Sequence, residues 1–465
     1  MLSKKKLVTI LSLLIILLFF AFSWKTAGSK DNFLAQKIKS LIPENLKKSL
    51  KNTIFATPYI IEKNKKQDER IKKLTQRIAI LEGQVFNLEN QGSLKTISNE
   101  EIISDNGEKF NLKILKLPLP QHEEWGLKPV AYLENHSNKI FFSSGDGRFF
   151  YINIDENKIE DSEKLNQIEI DIKDYILDKK FYEPFILSIK DIFIKNENIF
   201  FTYGNVKNNC LILKVAYSKL DYKYLEFKDY FSHKECDESF TYMNYQHPGG
   251  RLFNYLNDSL LLSTGDMGFE NLSDSDSSLF GKIINIKDNK NNFSIISKGH
   301  RNPQGLYYDK IKNIILNTEH GPTGGDEVNI NDLKSKTKHF GWPFASYGID
   351  DEIKYKDSHA KYGYVEPALN FTPSIGISQI IKVPDDFFIK KKDNRYFITS
   401  LGWDFQIDEG DNSIHIIDLD ENQKVISKDR LKIFQRIRDI IYIKEIKSFA
   451  LSLESIPAIG ILSKK

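Results

Sequence analysis

LLLSTGD at residues 260–266 is one of six near-copies of a single local pattern, three apolar residues followed by small polar ones. The others are IFFSSGD at 140–146, IFFTYGN at 199–205, IILNTEHG at 314–321, YFITSLG at 396–402 and FALSLES at 449–455. Each follows another short apolar stretch and a polar turn, so each reads as the second strand of a hairpin. The six starts lie 59, 61, 54, 82 and 53 residues apart, a period longer than most helical solenoids and suited to a four-stranded unit. Six such units predict an all-β fold, a six-bladed β-propeller over 115–465. A parallel β-helix needs a far shorter period, and a doubly wound α/β fold needs amphipathic helices that the sequence lacks.

In a hairpin the start of the first strand and the end of the second lie at one edge, and all six edges then share one face. Just before first strands stand His247 (HPGGRLFNYL), Arg301 and Asn302 (GHRNPQGLYY), Ser378 (SQIIKV), and Arg436 with Arg438 (RIRDIIYI). Just after second strands stand Asp266, His320, Gly321, Pro322, Gly402 and Glu454. Polar groups from at least four blades are therefore expected near one mouth of the central channel. The longest interval holds an excursion with His339, Phe340, Gly341, Trp342 and Pro343, expected to wall or cover that mouth.

The 66 Lys plus Arg are balanced by 63 Asp plus Glu, a formal charge of +3, so the many lysines do not argue for a nucleic-acid partner. Hydrophobic residues at 40% and charged ones at 28% exclude both disorder throughout and a polytopic membrane protein. Lys4, Lys5 and Lys6 precede an apolar run from Leu7 to Trp24, which predicts a signal anchor within 1–29, a single transmembrane pass with its basic end in the cytoplasm. The propeller is then expected in the periplasm, held at the inner membrane; a removed signal peptide is the alternative. Within a helical linker expected over 30–100, Ile71, Leu74, Ile78, Leu81, Val85 and Leu88 alternate spacings of three and four. They predict a short coiled coil over 68–91 and a parallel homodimer, or else an amphipathic helix packed on the next domain. Cys210 and Cys236 lack C-x-x-C spacing. Export would let them pair, and two independent buried thiols are the alternative.

With GHRNPQGL at 299–306, EHGPTGGDEVN at 319–329 and GWP at 341–343, the chain resembles the glucose/sorbosone dehydrogenase family from about residue 115 to its end. HPGGRL at 247–252, STGD at 263–266, TPSI at 372–375 and RIRD at 436–439 follow that family's order. The resemblance implies a propeller that uses pyrroloquinoline quinone and calcium to oxidise the anomeric carbon of aldose sugars, passing electrons to an acceptor the sequence does not name. It makes His247 the catalytic base, with Asp266 holding the imidazole in the right tautomer. Arg301 and Asn302 would contact the quinone, Arg301 stabilising negative charge as the carbonyl is reduced. Arg436 and Arg438, two apart in an extended segment, suit its carboxylates. His320, Gly321 and Pro322 would flank the cofactor, the last two offering backbone carbonyls to calcium, a cation that takes oxygen ligands. Glu327 and the Phe340 carbonyl match a second, structural calcium site.

The chain also departs from that pattern. EPFILS at 183–188 lacks an expected Gln, Gly402 stands where soluble glucose dehydrogenases carry a Lys that meets the quinone, and Thr372 stands where some relatives have Trp. A propeller kept as an extracytoplasmic binding or assembly module is therefore the alternative function, with a lactonase-type propeller as a third. The acidic stretch DLDENQKVISKD at 418–429 lacks the central Gly and final Glu of a calcium loop and reads as a hairpin turn.

Overall fold

The computed structural model describes residues 92–119, 130–145, 147–155, 158–159, 163–171, 189–207, 210–232, 247–287, 292–335, 338–348, 355–356, 358–388, 394–402, 411–454 and 456–465. They form six sheets. Blade 1 runs outward through Tyr132–His136, Lys139–Ser143, Phe149–Asn153 and Asn166–Ile170, with Tyr224–Leu225 added in parallel at its edge. Blade 2 has Ile189–Lys195, Asn198–Lys207, Cys210–Lys219 and Lys228–Ser232, and blade 3 has Gly249–Asn254, Leu260–Thr264, Lys282–Ile286 and Phe293–Lys298. Blade 4 has Pro303–Asp309, Ile314–Glu319, Asp326–Asp332 and Leu369–Phe371, and blade 5 has Ile377–Lys382, Arg395–Ser400, Ser413–Leu419 and Val425–Lys432. Blade 6 combines Ile437–Ile443, Ser448–Leu453 and Ala458–Lys464 with two strands from far upstream, Lys109–Lys116 and Lys95–Ile103. Each innermost strand lies against the next, and the sixth against the first, so the ring is closed.

All six second strands begin within one residue of the starts read from the apolar runs. Those runs are continuous because blades stack on both their faces: Leu260–Thr264, Ile314–Glu319, Arg395–Ser400 and Ser448–Leu453 are buried along their whole length. The apolar core accordingly falls into layers between neighbouring blades. That between blades 5 and 6 is built on Phe387, Phe397, Ile437 and Phe449, and that between blades 3 and 4 on Leu261, Ile283, Leu306 and Ile315.

Among the described residues the first strand starts at Lys95, inside the stretch expected to be helical linker and twenty residues ahead of the expected boundary at 115. Lys109–Lys116 pairs antiparallel with Ala458–Lys464, from Phe110 opposite Lys464 to Lys116 opposite Ala458. The last strand, Ala458–Lys464, and a strand upstream of blade 1 thereby close the ring in one sheet. Lys95–Ile103 is the outermost strand there and mostly exposed, so it carries no apolar run to betray it. The anchor expected over 1–29, the coiled coil over 68–91, the EPFILS segment and Cys236, with its pairing to Cys210, lie outside the described residues. Among the described residues no helix is long and apolar enough to cross a membrane. The 418–429 stretch is a hairpin turn as read: the Asp420 and Lys424 backbones bond to each other between Ser413–Leu419 and Val425–Lys432.

One feature of the first strands sets up the channel. In blades 2 to 6 the register shifts near the start, at Ile189/Asp191, Gly249/Leu252, Pro303/Gly305, Ile377/Ile380 and Ile437/Asp439. A bulge re-aims its side chain, and here residues at or beside the bulges meet across blades. The buried Arg251 guanidinium is 3.0 Å from both Asp191 and Asp439, and donates to the carbonyls of Gln304 at 2.7 Å and Arg438 at 3.1 Å. It also lies over the Tyr132 ring, at 4.7 Å. Ser378 Oγ donates to the same Arg438 carbonyl at 2.6 Å. This polar plug draws groups from all six blades.

Candidate active site

His247 sits one residue ahead of the Pro248–Gly249 turn into blade 3, at φ +63°, a left-handed conformation that costs a non-glycine residue about 1 kcal/mol or more. The following edge explains what holds it there. Gly265 N donates to the Pro248 carbonyl at 3.0 Å, Met267 N to the His247 carbonyl at 3.3 Å and Asp266 N to the Arg301 carbonyl at 2.8 Å. A Cβ on Gly265 would lie 1.8 Å from the His247 carbonyl oxygen and 3.0 Å from that of Arg301, so only glycine lets the three segments meet.

These backbone bonds set His247 Nδ1 3.0 Å from Asp266 Oδ1. Asp266 is fully buried and acceptor-only when ionised, so it fixes Nδ1 as the protonated nitrogen and leaves the Nε2 lone pair for chemistry. Burial pulls the imidazole below its ordinary value, opposed by the bond to Asp266 and reinforced by the charge of Arg301. Gly268 N also donates to Asp266 Oδ1, at 2.9 Å, and the Trp342 indole N–H to Oδ2 at 2.8 Å. Trp342 was expected only as a wall.

Arg301 is anchored by its own N–H to Glu319 Oε2 at 2.7 Å, and its Nη1 donates to the carbonyls of Gly321 at 2.7 Å and His320 at 3.3 Å. Its Nε is buried without a hydrogen-bond partner among the described residues, and its guanidinium lies over the Trp342 ring at 5.3 Å. Asn302 continues the line: its Oδ1 accepts from Gln304 Nε2 at 2.8 Å, and Gln304 Oε1 accepts from Arg438 Nη1 at 3.1 Å. Arg438 Nε and Arg436 Nε both donate to Glu454, at 2.5 and 3.2 Å, and Arg436 Nη1 donates to the Leu401 carbonyl at 2.5 Å. Hence Arg301, Asn302, Arg436 and Arg438 belong to one connected network, and Gln304 and Glu454 are the links the sequence did not assign.

Around the 320–326 turn, His320 Nδ1 lies 3.7 Å from Asp326 Oδ1, and Gly321 N donates to the same oxygen at 3.3 Å. Asp326 also accepts from Ser374 Oγ and from the N–H groups of Ile375 and Ile377, which ties blade 4 to blade 5. Burial opposes its charge, but His320 and these donors hold its carboxyl below the usual range. Glu327 is buried with Asn329 Nδ2 at 3.2 Å and His359 Nε2 at 3.5 Å, and burial pushes its carboxyl well above the usual range. Phe340 stacks on His300 at 4.7 Å, and its N–H bonds to the Lys298 carbonyl. Gly402 lies at φ +74°, its N–H on the Ile375 carbonyl at 3.0 Å.

The residues present can be tested against the groups the resemblance implies. Arg436 and Arg438 share one carboxylate, Glu454, and Arg301 has a buried Nε–H with no partner among the described residues; that donor set fits a ligand with several carboxylates and carbonyls. The Gly321 carbonyl keeps one lone pair after accepting from Arg301, so it can still face a cation. Near Glu327, the amide oxygens of Asn317 and Asn329 are buried without partners, which suits an oxygen-ligated cation. Among the described residues no three His, Cys, Asp or Glu gather round one metal position, so carbonyl and amide oxygens would have to complete either site.

The sequence profile of the Glucose / Sorbosone dehydrogenase family matches residues 187–451, more than half of the chain and every residue of this network except Glu454. The chain belongs to that family. The uncharacterized protein slr1608 of Synechocystis sp. is 30% identical over 278 residues, which cover 53% of this glucose/sorbosone dehydrogenase family chain and 62% of the relative. Aldose sugar dehydrogenase YliI of Escherichia coli (strain K12) is 34% identical over 117 residues, 22% of this chain and 31% of that one. The chain thus spans less than two thirds of the length of the curated relatives it matches. Among solved structures, the PQQ-bound form of aldose sugar dehydrogenase from Streptomyces coelicolor agrees with a TM-score of 0.53 at 15% identity, over 80% of this chain and 98% of that one. A likeness at that identity speaks for the shared propeller fold.

Proposed function

We propose that this chain is a quinoprotein that oxidises the anomeric carbon of aldose sugars, using pyrroloquinoline quinone and calcium. The observation that carries this reading is the coexistence, in one hydrogen-bonded mouth, of a His–Asp pair with Nε2 left open, two arginines that share the Glu454 carboxylate, and a third, Arg301, whose buried Nε has no partner among the described residues. When bound, pyrroloquinoline quinone would supply the two-electron acceptor that no side chain here provides.

Arg436 and Arg438 would bind the cofactor's carboxylates, and the unpartnered Arg301 Nε would meet a polar atom of the same ligand. Gly321 and Pro322 carbonyls would hold calcium beside it, and His320 and Asn302 would flank it. The Glu327 carboxylate, with the Phe340 carbonyl, would hold the second cation. On the substrate side, His247 Nε2 takes the proton of the C1 hydroxyl as the C1 hydrogen departs with its electron pair, and the sugar leaves as a lactone. Asp266 keeps the imidazole in the accepting tautomer and stabilises the imidazolium that forms. Arg301 places a fixed positive charge where negative charge develops.

The anchor read at 1–29 supports an inner-membrane protein with its propeller in the periplasm, and the 68–91 seam supports a parallel dimer. A second reading, an extracytoplasmic binding module, is favoured by Gly402, which offers no side chain to the cofactor. Purified protein supplied with quinone, calcium and a dye acceptor should reduce the dye with at least one aldose, and His247→Ala should not. Dye reduction absent across aldoses in folded, quinone-loaded protein would leave the module reading.

A further inference from the structure

Trp342 lies in the excursion between Asp326–Asp332 and Leu369–Phe371 of blade 4, yet it touches both halves of the site. Its ring is buried against Tyr355, at 5.5 Å between centroids, and its own N–H bonds to the Gly299 carbonyl at 3.1 Å, so the indole is held from two sides. The Nε1–H then ends on Asp266 Oδ2 at 2.8 Å, and the ring face carries the Arg301 guanidinium at 5.3 Å. A buried indole needs only one acceptor, and a backbone carbonyl would serve. Here the acceptor is the carboxylate that orients His247.

Resting on the reading of His247 as the base, we infer that Trp342 is a positioning residue with two separable roles: its N–H fixes Asp266 against His247, and its ring face fixes Arg301. The three donors on Asp266 divide the work. His247 and Gly268 share Oδ1, and Trp342 alone is seen on Oδ2. Without that donor the buried Oδ2 is unsatisfied, the carboxylate is free to turn about its terminal torsion, and its charge is less dispersed. More negative charge then faces the Nδ1–H of His247, which favours the imidazolium and raises the basicity of Nε2. Among the described residues, the charged and titratable groups facing His247 are Asp266, from its own blade edge, and Arg301 and His320, from the edge of blade 4. Of these, Asp266 and Arg301 touch Trp342.

The test uses full-length, cofactor-free protein with 13Cε1-labelled histidine, the His247 resonance being assigned by its loss in His247→Gln. Trp342→Phe keeps an aromatic face and removes the N–H. It should raise the His247 pKa by roughly 0.5 to 1 unit, and by less than about 0.2 in an Asp266→Asn background, because the effect travels through that carboxylate. Quinone affinity in calcium should stay within about twofold for Trp342→Phe and fall about tenfold for Trp342→Leu, which removes the face under Arg301. If Trp342→Leu does not fold, Trp342→Met takes its place with the same expected loss. An equal pKa shift in the Asp266→Asn background, no shift at all, or equal affinity losses for Phe and Leu would overturn the inference. Because the titration needs neither sugar nor quinone, its failure in a protein that oxidises aldoses would remove Trp342's role and leave the proposed function standing.

Discussion

The channel plug and the mouth above it use the same two residue types in opposite proportion. In the plug one guanidinium, Arg251, sits between two carboxylates, Asp191 and Asp439, whose outer oxygens accept the N–H groups of Leu252 and Leu133. At the mouth two guanidiniums, Arg436 and Arg438, share one carboxylate, Glu454, and the Nε–H of a third, Arg301, has no partner among the described residues. Buried charges with every hydrogen bond made hold a fold together; buried cations in surplus are a binding site waiting for anionic charge. The two clusters touch through Arg438, whose carbonyl belongs to the plug and whose side chain belongs to the mouth.

That contrast predicts where each substitution will be felt. Arg251→Leu strips the cation from between two buried carboxylates and should cost about 3–5 kcal/mol in urea unfolding. Arg436→Leu leaves Glu454 paired with Arg438 and should cost under about 1 kcal/mol. Equal losses would erase the distinction. Next in size, His247→Ala should lower turnover by roughly 10²- to 10⁴-fold while quinone uptake stays nearly intact. Loss of uptake instead would make the imidazole a structural ligand.

Proton linkage separates the regions further. Burial pushes Asp191 up to about 7 from 3.8, against the pull of Arg251 and with the help of Asp439. The folded protein therefore binds more protons than the unfolded chain between those values, so this carboxyl's contribution is present in full below about pH 4 and is lost as pH rises through 7. Asp191→Asn should flatten the fall in stability over that window, followed by urea midpoints at several pH values. Smallest of all, Gly402→Lys adds the side chain that the family resemblance leads one to expect at the quinone, for a gain of about 1.5–3 kcal/mol. It does so at φ +74°, which takes back about 1–2 kcal/mol. Calorimetry should show at most about thirtyfold tighter binding, and a hundredfold gain would mean that the backbone there relaxes.

What the sequence showed follows the same physics. Second strands were legible because stacked blades bury both their faces, turning each into an unbroken apolar run, as in Leu260–Thr264. Lys95–Ile103 was not, because an outermost strand needs few apolar side chains. Hairpin geometry placed His247 and Asp266 at one edge, and the family resemblance paired them as base and orienting carboxylate. Trp342 could not be joined to Asp266, since 76 residues and an irregular excursion separate them. The plug did leave a trace: Asp191, Arg251 and Asp439 each stand near the start of a first strand, where a charge inside an apolar stretch needs a buried partner.

The central claim is that Arg436, Arg438 and the open Nε–H of Arg301 receive pyrroloquinoline quinone. Titration calorimetry of the quinone into folded, full-length protein tests it most directly, run with and without millimolar calcium. The account predicts one-to-one binding that requires calcium and disappears at micromolar quinone when Arg436→Ala and Arg438→Ala are combined. No binding in the presence of calcium, or binding indifferent to both arginines, would contradict it.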